Sequence, residues 1–445
     1  MLIEFRVTNY RSIGEEQIIS LIPAPKQKDF PANILLEGRY NALNSLAFYG
    51  NNASGKSNFI RAIGLLDRLI HTSAKASSTD LLPYDPFELR EGWESRPTVF
   101  EITFALNKER YRYGVEFNAE KVISEWMFRK GESREVSLFE RKDDVIDPKT
   151  SFRGSAKLID AAVEATRPNG LFLSTCDMLN VDEAKEIFLW FRKLVIVDGL
   201  ETEQEESSIA SLWKSDGPRE DIKNYFSKLH LNILDLDVTT KPFDIAELPV
   251  SMPDDLKQSF ANTMSGRTTH TIFTEHRYYD KNGKPSDKTV KWKLDDKESA
   301  GTKKAFQMSG PVVYTLAVGG ILVIDEIEAK MHPIMTLHTI QLFLDKNTNP
   351  NNGQIIFATH DTNLLSYCPI RRDQIYFCEK NDWESTEIYS LSDFTYKDDK
   401  KERPDADKEK RYFEGRYGAI PMLGNFKPVK VYGKKRTTRT ESHQG

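Results

Sequence analysis

Gly50-Asn51-Asn52-Ala53-Ser54-Gly55-Lys56-Ser57 has the spacing G-x-x-x-x-G-K-[ST], and its flanks give that spacing its meaning. Ser45 to Tyr49 is a short apolar run of the length of a buried strand, and beyond it Phe59, Ile60, Ile63, Leu66 and Ile70 recur at helical spacing. Strand, glycine loop and helix in that order wrap backbone N–H groups and a helix N-terminus around an anion. In such a loop the Lys56 ammonium reaches the β- and γ-phosphates of a nucleotide and the Ser57 hydroxyl ligates Mg²⁺. A chance match would lack the strand and the helix. ATP and Mg²⁺ are therefore the expected ligands, with Asn58, next along the helix, counted among the contacts.

A second half of the site is expected far downstream. Gly320-Ile321-Leu322-Val323-Ile324-Asp325-Glu326 reads as a buried strand ending in two carboxylates. Asp325 is expected to hold the Mg²⁺ shell and Glu326 to polarise the attacking water; the plainer reading is a pair of acids capping a strand. Gln354 to Ala358 is a further apolar strand, ending in Thr359-His360-Asp361, where the His360 imidazole would contact the γ-phosphate. A lone histidine at a strand end is usually structural, and its order after the acids favours the functional reading. Between the halves, Lys297-Glu298-Ser299-Ala300-Gly301-Thr302-Lys303-Lys304 opens a helical stretch, so Ser299 and Gly301 form a second anion-binding surface. That surface has no phosphate of its own. Its simplest use is to close over the nucleotide of a second copy of the chain.

The 445 residues allow about two or three domains. Net charge is −5, so nothing global marks a nucleic-acid binder. Residues 396 to 411 mix both signs and read as a solvated segment, whereas Lys427, Lys430, Lys434, Lys435, Arg436 and Arg439 make a basic tail open to DNA, RNA or an acidic partner. The bland reading of that tail is a solubilising end. No apolar run has spanning length and the N-terminus reads as an amphipathic strand rather than a signal peptide, so a cytoplasmic protein is expected. Cys176, Cys368 and Cys378 are too scattered for a disulfide framework or a metal cluster.

Period-2 patterning predicts a hairpin over Leu2 to Asn9 and Glu16 to Ile22, then strands at Thr98 to Leu106, Arg110 to Phe117 and Ser124 to Arg129, an antiparallel side sheet. Helical patterns follow over residues 156 to 165, 184 to 194 and 221 to 229. Pro168, Gly170, Pro218 and Pro242 break this region too often for long coiled-coil arms. A hairpin is expected at Thr269 to Tyr279 and Lys288 to Leu294 across Lys281-Asn282-Gly283-Lys284. The expected organisation is an N-terminal ATPase lobe (1–155), a mainly helical insertion (156–268), a C-terminal ATPase lobe (269–425) and the basic tail (426–445).

With these motifs the chain resembles the ABC/SMC-like ATPases of prokaryotic phage-defence loci, the AAA-15/AAA-21 type that includes the RloA and AbiLi-like abortive-infection proteins. The likeness takes in Ile3-Glu4-Phe5-Arg6-Val7-Thr8-Asn9-Tyr10-Arg11-Ser12, the phosphate loop, Glu298-Ser299-x-Gly301-Thr302, Asp325-Glu326-Ile327-Glu328 with Met331-His332-Pro333, and Thr359-His360-Asp361. It extends to Arg371-Arg372-Asp373-Gln374-Ile375 and Gly415-Arg416-Tyr417-Gly418-Ala419-Ile420-Pro421. It implies an α/β fold of ABC/SMC-head type, Arg11 among the nucleotide contacts, dimerisation around ATP, and a co-encoded toxin or nuclease as effector. Two departures stand out. Gln204 and Gln258 are the only glutamines between Lys56 and Ser299, so no usual Q-loop glutamine is present and Glu101 is the candidate for its place. The Leu-Ser-Gly-Gly of transporter ATPases is also missing. The alternative function is a DNA-clamping ATPase of repair or recombination. A fused TOPRIM nuclease scarcely fits after His360, and Asp235-Leu236-Asp237 reads as acids in a solvated loop. His276-Arg277-Tyr278-Tyr279 could stack a base, but a strand of packed aromatic and exposed polar residues explains it more simply.

Overall fold

The computed structural model describes residues 1–198, 209–210, 212–245, 252–264, 268–394, 403 and 406–421. The basic tail, Gln204 and most of the charged run after residue 394 lie outside them. Strands β1 (Leu2–Thr8) and β2 (Gln17–Ser20) pair antiparallel, and β3 (Ile34–Glu37) and β4 (Tyr40–Leu43) form a separate ribbon. β5 (Ser45–Gly50) enters the phosphate loop, and α1 (Lys56–Thr72) leaves it. β6 (Thr98–Leu106), β7 (Glu109–Phe117), β8 (Val122–Lys130), β9 (Glu135–Lys142) and β10 (Val145–Pro148) complete an antiparallel sheet of order β10-β9-β8-β7-β6-β1-β2. Its alternation put the first strands in view. β9 and β10, charged and half-exposed, carried too little contrast to read.

The second sheet has the order β11-β15-β16-β5-β17-β18, from β11 (Leu194–Asp198), β15 (Ile321–Asp325), β16 (Gln354–Ala358), β17 (Ile375–Lys380) and β18 (Thr386–Ser390). All neighbours run parallel except β17 and β18. Every residue of β5, β15 and β16 is buried, which is why these strands are continuous apolar runs rather than alternating ones. α1 lies between the sheets: Phe59 meets Phe5 of the antiparallel sheet at 5.6 Å and Phe48 of β5 at 5.5 Å.

The helices expected over 156 to 165 and 184 to 194 appear as α2 (Ala156–Ala165) and, after an unforeseen α3 (Phe172–Met178), as α4 (Asp182–Phe191). They share the apolar cluster of α1 and the antiparallel sheet, with Trp190 stacked on Phe104 at 4.0 Å. The fully buried Glu125 carboxylate accepts the Phe172 and Leu173 N–H groups, and Glu183 receives Arg129 and Arg153, so α3 and α4 are pinned to the sheet at their N-termini. Leu194 to Asp198, within the stretch read as mainly helical, is an edge strand of the parallel sheet. Beyond it come α5 (Asp216–Ser227), β12 (Asp235–Pro242), α6 (Asp254–Met264), β13 (Thr268–Tyr279) and β14 (Pro285–Lys293), with a three-stranded sheet of order β12-β13-β14. The expected hairpin is there, its turn using Gly283 at φ +74°. Asp235 and Asp237 lie on β12 rather than in a loop, and pair with Lys223 and Lys291. The chain then forms α7 (Leu294–Lys297), α8 (Ala300–Val318), α9 (Pro333–Leu344), α10 (Asn363–Tyr367) and α11 (Lys408–Phe413). Among the described residues no helix is long and apolar enough to cross a membrane.

Candidate nucleotide site

The parallel strands carry the sequence motifs to one edge. Gly50, Asp325 and Ala358 close β5, β15 and β16, so the loop 50–57, the acids and His360 all leave the carboxyl ends of neighbouring strands, where α/β sheets bind ligands. Two further bonds tie those ends: Thr359 N–H donates to the Phe48 carbonyl (3.1 Å) and Ile327 N–H to that of Ala358 (3.1 Å).

The glycines of the loop are required by space. A Cβ on Gly50 would stand 2.3 Å from the Cys378 carbonyl oxygen, and one on Gly55, whose φ is +110°, 2.0 Å from Thr386 Oγ1. Ala53 at φ +63° and Glu326 at φ +51° are non-glycine residues in the left-handed region, a strain that persists only where the surroundings enforce it. Lys56 is buried and folds back, its Nζ donating to the Gly50 carbonyl at 2.8 Å and that of Asn51 at 2.9 Å. Burial lowers the pKa of its ammonium, opposed by Cys378, Asp325, Glu328 and Glu326. Ser57 and Asn58 are half-buried at the start of α1, while Asn52 and Ala53 are exposed at the tip of the loop.

Several polar atoms here are buried with no hydrogen-bond partner: Asn51 Oδ1, Ser54 Oγ, Asp325 Oδ1, Glu328 Oε2 and Asp361 Oδ2. Buried polar groups are normally satisfied, so a cluster of orphans beside a buried ammonium asks for a polar ligand. The donor set fits a phosphate with a hard cation: backbone N–H groups and Lys56 for the anion, hydroxyl and carboxylate oxygens for Mg²⁺. His360 has its imidazole pKa lowered by burial and by Lys56, against the pull of Glu328 and Asp325, which keeps it neutral over more of the physiological range.

Three residues were given no part in the site by the sequence reading. Glu328 accepts the His360 N–H, joining the turn after β15 to the histidine segment; a third acid two residues past Glu326 was the available signal. Thr386 Oγ1 donates to the Ser54 carbonyl (2.9 Å) and meets Ser12 Oγ (2.9 Å) and Lys380 Nζ (3.3 Å). Ser12 Oγ in turn accepts from Asn58 Nδ2 at 2.7 Å. Ser12 entered only as the last residue of the N-terminal motif and Thr386 not at all, because their partners are remote in the chain. Arg11, at φ +51°, instead turns its guanidinium to Asp85 at 2.7 Å. Glu101 sits on β6 with Arg6, Arg112 and Trp126, none of them in the phosphate loop.

Ser299 and Gly301 stand apart from the loop: no hydrogen bond or ion pair among the described residues joins them to residues 50–58. Ser299 caps α8, its Oγ accepting from Thr302 N–H at 3.1 Å, and it is exposed. Gly301 lies against Lys330, whose carbonyl would be 3.0 Å from an added Cβ.

A search of curated proteins finds no match to this chain. Among solved structures it is similar to the Smc head domain with an extended coiled coil bound to the C-terminal domain of ScpA from Pyrococcus furiosus, at 14% identity over 87% of this chain and 96% of that one, TM-score 0.35. It is similar also to the Smc head domain with a coiled coil and joint from Pyrococcus yayanosii (10% identity, 88% and 97% covered, TM-score 0.40) and to the recombination mediator RecF with ATP (14%, 80% and 93%, TM-score 0.28). A family profile matches residues 45–194 and 214–366. These two stretches make up more than half of the chain and run from β5 through the acids of β15 to α10, so the chain belongs to the family described as AAA domain, putative AbiEii toxin, Type IV TA system.

Proposed function

We propose that the protein is a cytoplasmic ATPase that binds Mg·ATP at the loop 50–57, dimerises around it and hydrolyses it as a switch. The cluster of partnerless polar atoms around the buried Lys56 carries this reading. Residues 50 to 58 would cradle the phosphates, with Lys56 neutralising charge on the β- and γ-phosphates. Ser57 and Asp325 would hold Mg²⁺, which supplies charge neutralisation and in-line alignment when bound. Glu326 is the residue to orient and deprotonate the attacking water, and His360 to contact the γ-phosphate through its neutral ring. Arg11 is kept among the nucleotide contacts as the neighbour of Ser12, which accepts from Asn58 of α1.

Ser299 and Gly301 of one subunit are proposed to close on the nucleotide of the other. An exposed helix N-terminus is suited to a phosphate that arrives with a second copy. In this reading the output is a change in affinity for a separate toxin or nuclease effector in an anti-phage, abortive-infection system. The family description, which names a toxin and a toxin–antitoxin system, supports that role. A switch of this kind shifts its partner only by its differential affinity for the two states, typically about 1–3 kcal/mol.

The test is to purify the Glu326→Gln protein, add ATP and Mg²⁺, and measure mass and partner binding beside Lys56→Ala. The reading requires an ATP-dependent dimer for the first, none for the second, and partner affinities that differ. A purified wild-type protein that cleaved DNA or RNA by itself would remove the separate effector.

A further inference from the structure

α7 and α8 are joined by two extended residues, Glu298 (φ −87°, ψ 154°) and Ser299 (φ −66°, ψ 157°). Local bonds hold its two ends, Glu298 N–H to the Leu294 carbonyl and Thr302 N–H to Ser299 Oγ, and the Glu298 side chain adds a tie to a remote strand. One oxygen of the Glu298 carboxylate accepts from Thr274 Oγ1 at 2.7 Å and faces His276 Nε2 at 2.7 Å. Opposite a carboxylate that nitrogen carries the proton and donates. Thr274 and His276 are two apart on β13 and so present one face of the strand to Glu298. Both are anchored. Thr274 is fully buried, and the His276 ring lies against Trp292 of β14 with centroids 4.2 Å apart. The Glu298 side chain is 9% exposed, so its charge is held by these donors rather than by water.

We propose that His276 and Thr274 are positioning residues for the surface formed by Ser299 and Gly301. By fixing Glu298 they set the place and direction of Ser299 and of the α8 N-terminus, and the three-stranded sheet thereby controls whether a composite ATP site can close. The proposal rests on the composite-site reading above and gives the sheet β12-β13-β14 a mechanical task. The Glu298 carboxylate ties β13 to the start of α8, so a movement of that sheet is expected to be felt at Ser299.

The experiment uses the full chain in the Glu326→Gln background, with ATP and Mg²⁺. Nucleotide affinity is read at a protein concentration that keeps the chain monomeric, and the dimer dissociation constant by sedimentation. His276→Ala is expected to bind ATP within about twofold of its parent while its dimer weakens about tenfold or more, the usual effect of losing a hydrogen bond to a charged group. His276→Gln, whose amide can still donate to the carboxylate, recovers most of the dimer. Glu298→Ala weakens the dimer as His276→Ala does, and the double variant is no weaker than Glu298→Ala alone, because the contact is already gone. A His276→Ala dimer as tight as its parent's overturns the proposal, as do additive effects in the double variant or a His276→Ala protein that no longer binds ATP. A parent that stays monomeric removes the composite-site reading and this proposal with it; a dimeric parent beside an unaffected His276→Ala removes the proposal alone.

Discussion

At the start of α1 the residues 50–57 are enclosed by the ends of parallel strands, Ala53 is held in the left-handed region, and Ser54 and Asn51 keep buried oxygens without partners. At the start of α8, Ser299 caps its own helix, its dihedrals are relaxed, and it faces outward. Both are glycine-bearing helix N-termini, and helix N-termini favour anions alike. The difference lies in what each leaves undone. The first leaves buried polar atoms without a partner from the chain, as a site for a small polar ligand does. The second is complete by itself, so its use must come from something brought to its surface.

The comparison can be broken most severely at Lys56. Lys56→Ala is expected to weaken ATP binding on the order of 100-fold or more, because a buried ammonium that meets phosphate has no substitute. Titration with a fluorescent ATP analogue measures this, and near-normal affinity would mean that the loop 50–57 is not the nucleotide site. Glu326→Gln comes next. Its affinity should persist while steady-state phosphate release falls about 10²–10⁴-fold, the span that a positioned general base contributes. Turnover at the wild-type rate would move the base elsewhere, with Glu328 the nearest candidate.

Thr386→Val sharpens the claim that the loop is supported from behind. Removing the hydroxyl that meets Ser54, Ser12 and Lys380 should lower ATP affinity severalfold and stability by about 1 kcal/mol, read from urea midpoints. The smallest effect is expected on the other side of the comparison. Ser299→Ala removes a helix cap and should destabilise by about 1 kcal/mol while leaving ATP affinity of the monomer untouched. An affinity loss in Ser299→Ala monomers as large as that of Thr386→Val would erase the distinction between the two surfaces.

How legible these regions were differs for a physical reason. The loop 50–57 and the acids were read because their chemistry is local: glycines, lysine and serine at fixed offsets, and carboxylates at the end of an unbroken apolar run. β9, β10 and β11 were not, since the first two are charged and half-exposed and the third is five residues long next to a helix. The assignment of residues 156 to 268, and with them α2 to α4, to an insertion followed the change to helical periodicity. The packing of these helices on the antiparallel sheet depends on Glu125 and Glu183, buried acids that look like surface residues in a sequence. Asp235 and Asp237 misled in the opposite sense, as a strand whose acids are each matched by a lysine from another element.

By itself, the sequence determined the glycine loop 50–57 between strand and helix, the paired acids and the histidine at strand ends, and the α/β character, because each follows from residue type at short spacing. Tertiary structure alone decided which remote residues complete them. Thr386 reaches Ser54, Ser12 reaches Asn58, Glu328 reaches the His360 backbone, and His276 reaches Glu298. Such pairings carry no local signature, since a hydroxyl or carboxylate finds its partner through the order of strands in a sheet, and that order is set by burial of the whole core.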